Sequence, residues 1–386
     1  MLKLRRGPMS EKSLRIALVG AGTLLGKALR DELAASAFAS ADLRLLDDDE
    51  EAQGKLAAVD DEIALIQRID PDSFDDCDFT FFAGGAAQTK EHAREALKAG
   101  SCIVDLSGEL EKTPGILVRA PWVPERPVSS DASGERRLSK TPTPNLDTRA
   151  VVSAHPVAVL LAMLAARSQK VAPLHGLWAT LLQPASEYGH AALEELHQQT
   201  ANLLSFQPLP TVVFGGQTAF TLAVSFDATG QAALASAADR IRRHYAKISF
   251  VAASPLALQV VQVPVFHGYA LSVAVEFSHP VAAGALAKAL AGSHVRIVAD
   301  ATAFPGNVQA VEEEGAQILV QPVFPPSESV VSPGEGSKGP STQEPGAQPT
   351  GRFWLWIVAD NLKFAAQNAI ACAVELNRLR PRGKVQ

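Results

Sequence analysis

The stretch Leu14-Arg-Ile-Ala-Leu-Val-Gly-Ala-Gly-Thr-Leu-Leu-Gly26 decides the fold. Leu14–Val19 is apolar apart from Arg15, which suits a parallel strand buried on both faces. Gly20 to Gly26 reads as a turn, and Lys27–Ala35 as a helix. Glycines between a strand and a helix let the backbone approach a pyrophosphate, and the helix N-terminus favours its charge. The spacing is GxGxxxG, looser than the usual dinucleotide pattern, and a tight turn without ligand is the plainer alternative. The candidate contacts are Gly20, Gly22, Thr23, Leu24 and Gly26.

The same texture continues outward. Ala41–Leu46 reads as a second strand, followed by Asp47 at the head of the acidic run DDDEE (47–51). An acid at this place can hold a ribose 2′-hydroxyl and repel a 2′-phosphate, so NAD suits it better than NADP. A solvated acidic loop is the alternative. Asp78–Ala83 (DFTFFA) and Ser101–Asp105 (SCIVD) are further strands, separated by Gly84-Gly85 and a helix over Thr89–Ala99. Gly84 and Gly85 offer a second close approach of backbone to a ligand. Strands alternating with helices imply a doubly wound parallel sheet.

From Val151 the pattern changes to α+β. Val171–Gln183, Phe220–Phe226, Leu256–Val265, Leu271–His279 and Phe353–Val358 read as strands of a mixed or antiparallel sheet. Glu187–Leu204, Gln231–Lys247 and Leu362–Leu379 read as helices, and a helix–strand pair covers Val281–Leu290 and Val295–Ala299. Two domains follow: residues 14–150 joined by a C-terminal helix (361–386), and residues 151–360. Residues 1–13 and an insertion at 325–351, rich in Pro, Ser, Gly and Glu, are expected to be disordered.

With 41 acidic against 35 basic residues, a net charge of −6 gives no basic surface for nucleic acid. Apolar runs such as Ala158–Ala166 are too short to span a bilayer. Cys77, Cys102 and Cys372 are too few and too scattered for a disulfide framework or a metal site, and the cytoplasm is the expected compartment.

Four segments then align in order with one family. They are FAGGAAQTKEHAREALKAGSCIVDLSGE (82–109), LWATLLQPASEYGHAALEEL (177–196), VQVPVFHGYALSVAVEF (261–277) and DNLKFAAQNAIACAVEL (360–376). Together they resemble aspartate-β-semialdehyde dehydrogenases. The resemblance implies a Rossmann-type cofactor domain, a second domain that dimerises, and a place in amino-acid biosynthesis. It also implies a cysteine that forms a thioester, reduced by NADPH, with a histidine as acid/base and a glutamine that orients the intermediate. An arginine, a glutamate and a lysine hold the substrate.

Carried over residue by residue, most of that machinery is replaced. The cysteine falls on Val157 or Ala158, in SAHPVAV at 153–159. The histidine falls on Tyr269, the arginine on Gln262 and the glutamate on His244. Gln183 and Lys247 match the family's glutamine and lysine. A thioester route needs a thiolate and a titrating partner, and neither stands at these positions. The chain resembles the non-catalytic, Usg-like relatives of the family more than the enzymes.

Two other readings compete. One is an active NAD(P)-dependent oxidoreductase for an aldehyde or acyl phosphate, with His267 as its acid/base. The other is a cofactor-free scaffold for an unknown protein partner. His155 reads as a cap or packing residue, and Ser153 lacks a third group to make it a nucleophile. His190, Glu194 and His197 on one helix read as a solvated face rather than metal ligands. Trp354 and Trp356 read as core or subunit interface.

Overall fold

The computed structural model describes residues 13–49, 53–54, 56–59, 62–124, 143–225, 234–249, 256–298, 305–323 and 349–380. The expected extension at 1–13 lies almost wholly outside these residues, and so does the insertion up to 348. The chain forms two compact units. The first holds the described residues up to Arg119, Thr143–Ser153 and those from Ala365 onward. The second holds Ala120 to Trp122 and its neighbours, and Ala154–Phe364.

The first unit is built on seven strands, all parallel. Their order is Gln67–Arg68, Asp42–Asp47, Arg15–Val19, Phe79–Phe82, Cys102–Asp105, Ala150–Ser153 and Leu117–Arg119. Alternation along Arg15–Val19 splits its side chains between two cores. Ile16 and Leu18 pack with Leu29, Leu33, Phe81 and the C-terminal residues Ala366, Ala369, Cys372 and Leu376. Ala17 and Val19 pack on the other face with Phe74, Phe82, Ala93 and Ala96. The doubly wound reading of the sequence is what the structure has.

The second unit carries a six-stranded mixed sheet, ordered Leu256–Gln262, Leu174–Gln183, Tyr269–Val281, Thr350–Ala359, Ala316–Val323 and Val295–Ile297. The outermost pair at each edge is parallel and the inner pairs are antiparallel. One face lies under the helices Pro156–Ser168, Leu234–Ile248 and Ala283–Leu290. Pro156–Ser168 is apolar all round and almost entirely buried, as a central core helix must be. The other face carries Trp178, Trp354, Ser272 and Ala274 outward.

Several boundaries differ from the sequence reading, each for a local reason. The first helix begins at Leu24 rather than Lys27, because the Thr23 hydroxyl accepts from Gly26 N and caps it. The strand Ala150–Ser153 completes the first sheet, so the second unit begins after Ser153 rather than at Val151. Phe220–Ser225 is no strand: Phe220 takes a positive φ of 59°, and only Ala223 bridges to Gln262. Phe226 lies outside the described residues. The helix expected from Glu187 is interrupted by Gly189, which separates a short 3-10 turn, Ala185–Tyr188, from the helix His190–Leu204. Thr350 and Gly351 belong to a strand, not to the insertion. Ala316–Val323 and Leu117–Arg119 are strands the sequence reading missed.

Candidate functional site

The glycine turn sits at the carboxyl end of the first strand, the usual ligand edge of a doubly wound sheet. Gly20 has φ +81°, and a Cβ on it would stand 2.4 Å from Gly84 N. A Cβ on Gly26 would stand 2.1 Å from Gly20 O. These two glycines are therefore required by the chain's own packing. Gly85 is different, since a Cβ there would meet nothing within 4 Å.

Asp47 is buried at 4% exposure, and its carboxylate holds the turn together. Oδ2 accepts from Gly22 N at 2.8 Å, and Oδ1 accepts from Asp49 N at 3.1 Å and Gln88 Nε2 at 3.3 Å. The Thr23 hydroxyl lies 2.8 Å from Gly20 O and 3.1 Å from Ala83 O. Of the amides at this helix start, Gly22 N and Gly26 N are thus occupied. Those of Leu24 and Leu25 have no acceptor among the described residues. Two free amides at the positive end of a helix fit one phosphate group. Asp47 thus clamps the loop through these bonds.

The second group of candidates surrounds the start of Pro156–Ser168. His155 is its N-cap, and Nδ1 accepts from Val157 N at 3.2 Å. With Nδ1 accepting, the ring's proton sits on Nε2, which lies 3.3 Å from Glu187 Oε1. Tyr269 donates its hydroxyl to Glu187 Oε2 at 2.5 Å. A chain results, His155–Glu187–Tyr269, with a partly buried carboxylate between two buried rings. The 3-10 turn that carries Glu187 is fixed by Ala185 N to Val265 O at 2.8 Å and Ser186 N to Phe266 O at 3.0 Å. Gly268, at φ +83°, brings Tyr269 in at the head of its strand.

The charges in this chain are settled by geometry. Burial pushes His155 below its ordinary value, against the pull of Glu187. The cap bond from Val157 N needs an unprotonated Nδ1, so the ring is neutral. Burial alone would raise Glu187, but its bonds from His155 and Tyr269 and the charge of Arg240 bring it below its ordinary value. Burial, then the Glu187 charge, raises Tyr269 well above its usual value, so it stays a donor.

The remaining aligned positions line the same unit. Val157 and Ala158, onto which the sequence reading carried the family's cysteine, are both fully buried aliphatic residues. His244 is fully buried, and its Nδ1 accepts from His155 N at 2.8 Å. Gln183 and Gln262 are register partners at the ends of adjacent parallel strands, both fully buried. Gln262 Nε2 donates to Val263 O at 3.1 Å. Neither polar atom of the Gln183 amide has a partner at hydrogen-bond geometry, though the amide comes near enough to Tyr188 to temper the rise that burial gives that phenol.

Other candidates do not join this group. Lys247 is exposed, one helical turn beyond His244. His267 is half-buried. Its carbonyl accepts from Asn307 Nδ2 at 3.1 Å, and no described hydrogen bond links its ring to Glu187, Tyr269 or His155. Ser153 Oγ accepts from Asn368 Nδ2 at 2.8 Å. His190, Glu194 and His197 are exposed on their helix. A grouping the sequence reading missed is Asp48, Glu91 and His92, close enough to share an ion, with His92 Nε2 2.9 Å from Asp48 Oδ2. Glu187 was also missed as a partner of His155, because no spacing rule links a turn to a distant helix cap.

Comparison with known proteins agrees with this architecture. The semialdehyde dehydrogenase NAD-binding domain matches residues 15–134, and the semialdehyde dehydrogenase dimerisation domain matches residues 167–323. A USG-1 protein homolog of Pseudomonas aeruginosa is 29% identical over 92% of this chain and 96% of its own length. An aspartate-semialdehyde dehydrogenase of a Synechocystis species is 26% identical over 50% of this chain and 52% of its own. A solved structure described as a probable aspartate-semialdehyde dehydrogenase from Pseudomonas aeruginosa superimposes with a TM-score of 0.72 at 25% identity. It covers 97% of this chain and 100% of its own. With both domains present in the family's order on the family's fold, the chain belongs to the semialdehyde dehydrogenase family.

Proposed function

We propose that this chain keeps the family's two-domain scaffold and does not perform its thioester-forming dehydrogenase reaction. The observation that carries the reading is the start of Pro156–Ser168. Its first turn is filled by the buried aliphatic side chains of Val157 and Ala158, and the cap is already spent on His155. A helix N-terminus stabilises a thiolate or an oxyanion only if a group capable of becoming one stands there. Tyr269, at the position of the family's acid/base, is held as a proton donor to Glu187 and does not titrate near neutrality. Gln262 stands where the family resemblance puts a guanidinium, and an amide there offers no charge to pair with a carboxylate.

A nucleotide role accompanies this reading. The amides of Leu24 and Leu25 would hold a phosphate, and the acids at Asp47–Asp49 disfavour the extra phosphate of NADP, so NAD is the cofactor proposed. A nicotinamide cofactor would supply hydride chemistry; this chain's part is to hold it. A homodimer through the open face of the second sheet, in the cytoplasm, completes the proposal. Trp178 and Trp354 stand on that face at 45% and 47% exposure, apolar area that a partner copy would cover.

The experiment is direct. Purified protein is incubated with aspartate semialdehyde, phosphate and either NAD or NADP, and absorbance of the reduced nicotinamide is followed. No turnover is expected. Turnover with either nucleotide would overturn the reading, and its loss in His267→Ala would favour the active oxidoreductase that uses His267 as acid/base. In parallel, thermal denaturation is followed with each of the four nicotinamide nucleotides. A ligand present at a hundred times its dissociation constant stabilises the folded state by about 2.7 kcal/mol. A midpoint rise with NAD or NADH is expected. Flat titrations of all four would leave a scaffold that binds no cofactor.

A further inference from the structure

His92, on the helix Ala86–Lys98, has a carboxylate at each of its ring nitrogens. Nε2 is 2.9 Å from Asp48 Oδ2, and Nδ1 is 3.4 Å from Glu95 Oε2. The residue is 8% exposed, and its ring lies against Phe74 with the centroids 6.4 Å apart. Glu91, the residue before it, brings a third carboxylate. A ligand atom from each of Asp48, Glu91 and His92 lies within 4.8 Å of the other two. Among the described residues no lysine or arginine pairs with Asp48, Glu91 or Glu95.

The hydrogen-bond count around this ring does not close. A neutral imidazole has one N–H and one lone pair, and an ionised carboxylate only accepts. Whichever nitrogen carries the proton, the other turns its lone pair on a carboxylate oxygen. With the proton on Nδ1, bonded to Glu95, the bare lone pair is that of Nε2, which faces Asp48. This is the arrangement of a metal-binding histidine: one nitrogen for the ion, the other N–H held by a carboxylate that fixes the tautomer. Glu95 is not one of the three converging groups, so its place behind a buried ring is a separate sign of a cation in front of it.

We propose that Asp48, Glu91 and His92 bind a divalent transition-metal ion, and that zinc fits the donor set best. Imidazole suits zinc, whereas magnesium and calcium take oxygen ligands. Zinc–ligand distances of about 2.0–2.2 Å place the donor atoms of a tetrahedral site about 3.3–3.5 Å apart. Asp48 and Glu91 are exposed, so their carboxylates turn to that spacing at little cost while the buried ring stays fixed. Three protein ligands leave the fourth position to water. The ion would tie the end of the strand Asp42–Asp47 to the helix, one turn beyond the point where Gln88 Nε2 meets Asp47. A second proton on the ring would also close the count, and the test separates the two.

The full chain, without an affinity tag and stripped of metal with EDTA, is titrated with zinc in a calorimeter. Hydrogen exchange is compared with and without the ion. One saturable site is expected, with exchange slowed over residues 47–49 and 86–98. Glu95→Gln, which touches no ion, should weaken binding about ten- to a hundredfold, the usual effect of removing the carboxylate behind a ligating histidine. His92→Gln, Asp48→Asn and Glu91→Gln should each weaken it at least as much. His197→Gln, on the exposed helix His190–Leu204, should leave it unchanged. If His92→Gln fails to fold, Glu91→Gln and Glu95→Gln decide, since neither opens the core. Absence of saturable binding would assign the second proton to the ring and overturn the proposal. So would an affinity unchanged in Glu91→Gln and Glu95→Gln, or exchange slowed over His190–Leu204 instead.

Discussion

Acid should weaken the second unit through His155, by an amount that can be worked out beforehand. The folded ring is neutral because burial and its cap bond oppose a proton. In the unfolded chain a histidine takes a proton below about 6.5. The unfolded chain therefore binds more protons, and stability falls with pH below that value. Between pH 7 and pH 5.5 a ring of pKa 6.5 that stays neutral when folded costs about 1.3 kcal/mol. The perturbation that isolates this contribution is His155→Asn. Asparagine is a good helix cap and does not titrate in this range. Trp122, Trp178, Trp354 and Trp356, the four tryptophans of the chain, lie in the same unit as His155. Their fluorescence in urea reports that unit. The wild-type chain should lose about 1.3 kcal/mol more than the variant between the two pH values. His294, also pushed down by burial, acts equally in both chains and cancels. Equal losses in the two chains would refute the neutral, capping His155 and with it the proton arrangement of the His155–Glu187–Tyr269 chain.

Tyr269→Phe removes one of the two donors to the partly buried Glu187 carboxylate. It should cost about 1.5–3 kcal/mol in the same urea titration at pH 7, the range for a hydrogen bond to a charged group. Gly20→Ala puts a Cβ 2.4 Å from Gly84 N at φ +81°. The left-handed conformation alone costs about 1–2 kcal/mol, and hydrogen exchange in Arg15–Val19 should speed up accordingly. Trp354→Lys places a charge on the open face of the second sheet, and sedimentation should report a shift from dimer to monomer; an unchanged mass would remove that face as the interface.

The parallel sheet was legible because its strands are short apolar runs closed by glycine or aspartate. LRIALV and DFTFFA have few other readings. What the sequence hid was set by contacts between distant residues. Thr23 moved a helix start by its hydroxyl, a choice that GAGTLLG leaves open. Phe220–Phe226 alternates like a strand, yet the turn bond from Thr221 N to Thr218 O and the positive φ of Phe220 break it. AQILVQPV, at 316–323, went unseen beside a long polar stretch, although it pairs along most of its length with Thr350–Ala359. At the site, alignment placed Gln183, His244, Gln262 and Tyr269 in one unit. Asp47 was legible as the acid that follows the second strand, but the bond its carboxylate accepts from Gly22 N was not. The partnership of Glu187 with His155 and Tyr269 depends on a 3-10 turn held by Val265 and Phe266, which no periodicity announces.

The segment from Thr350 to Leu379 enters both units. Its strand lies between Tyr269–Val281 and Ala316–Val323 in the second sheet, and its helix covers one face of the first. During synthesis, then, the core on the Ile16 face of the first sheet and the middle of the second sheet stay open until Thr350–Leu379 has left the ribosome. The first unit waits with Ile16, Leu18 and Phe81 uncovered, and the second with two strand edges unpaired. Such surfaces are the ones chaperones recognise and nascent chains aggregate through. A chain truncated before Thr350 would lose the cover on one face of the first sheet and an inner strand of the second together.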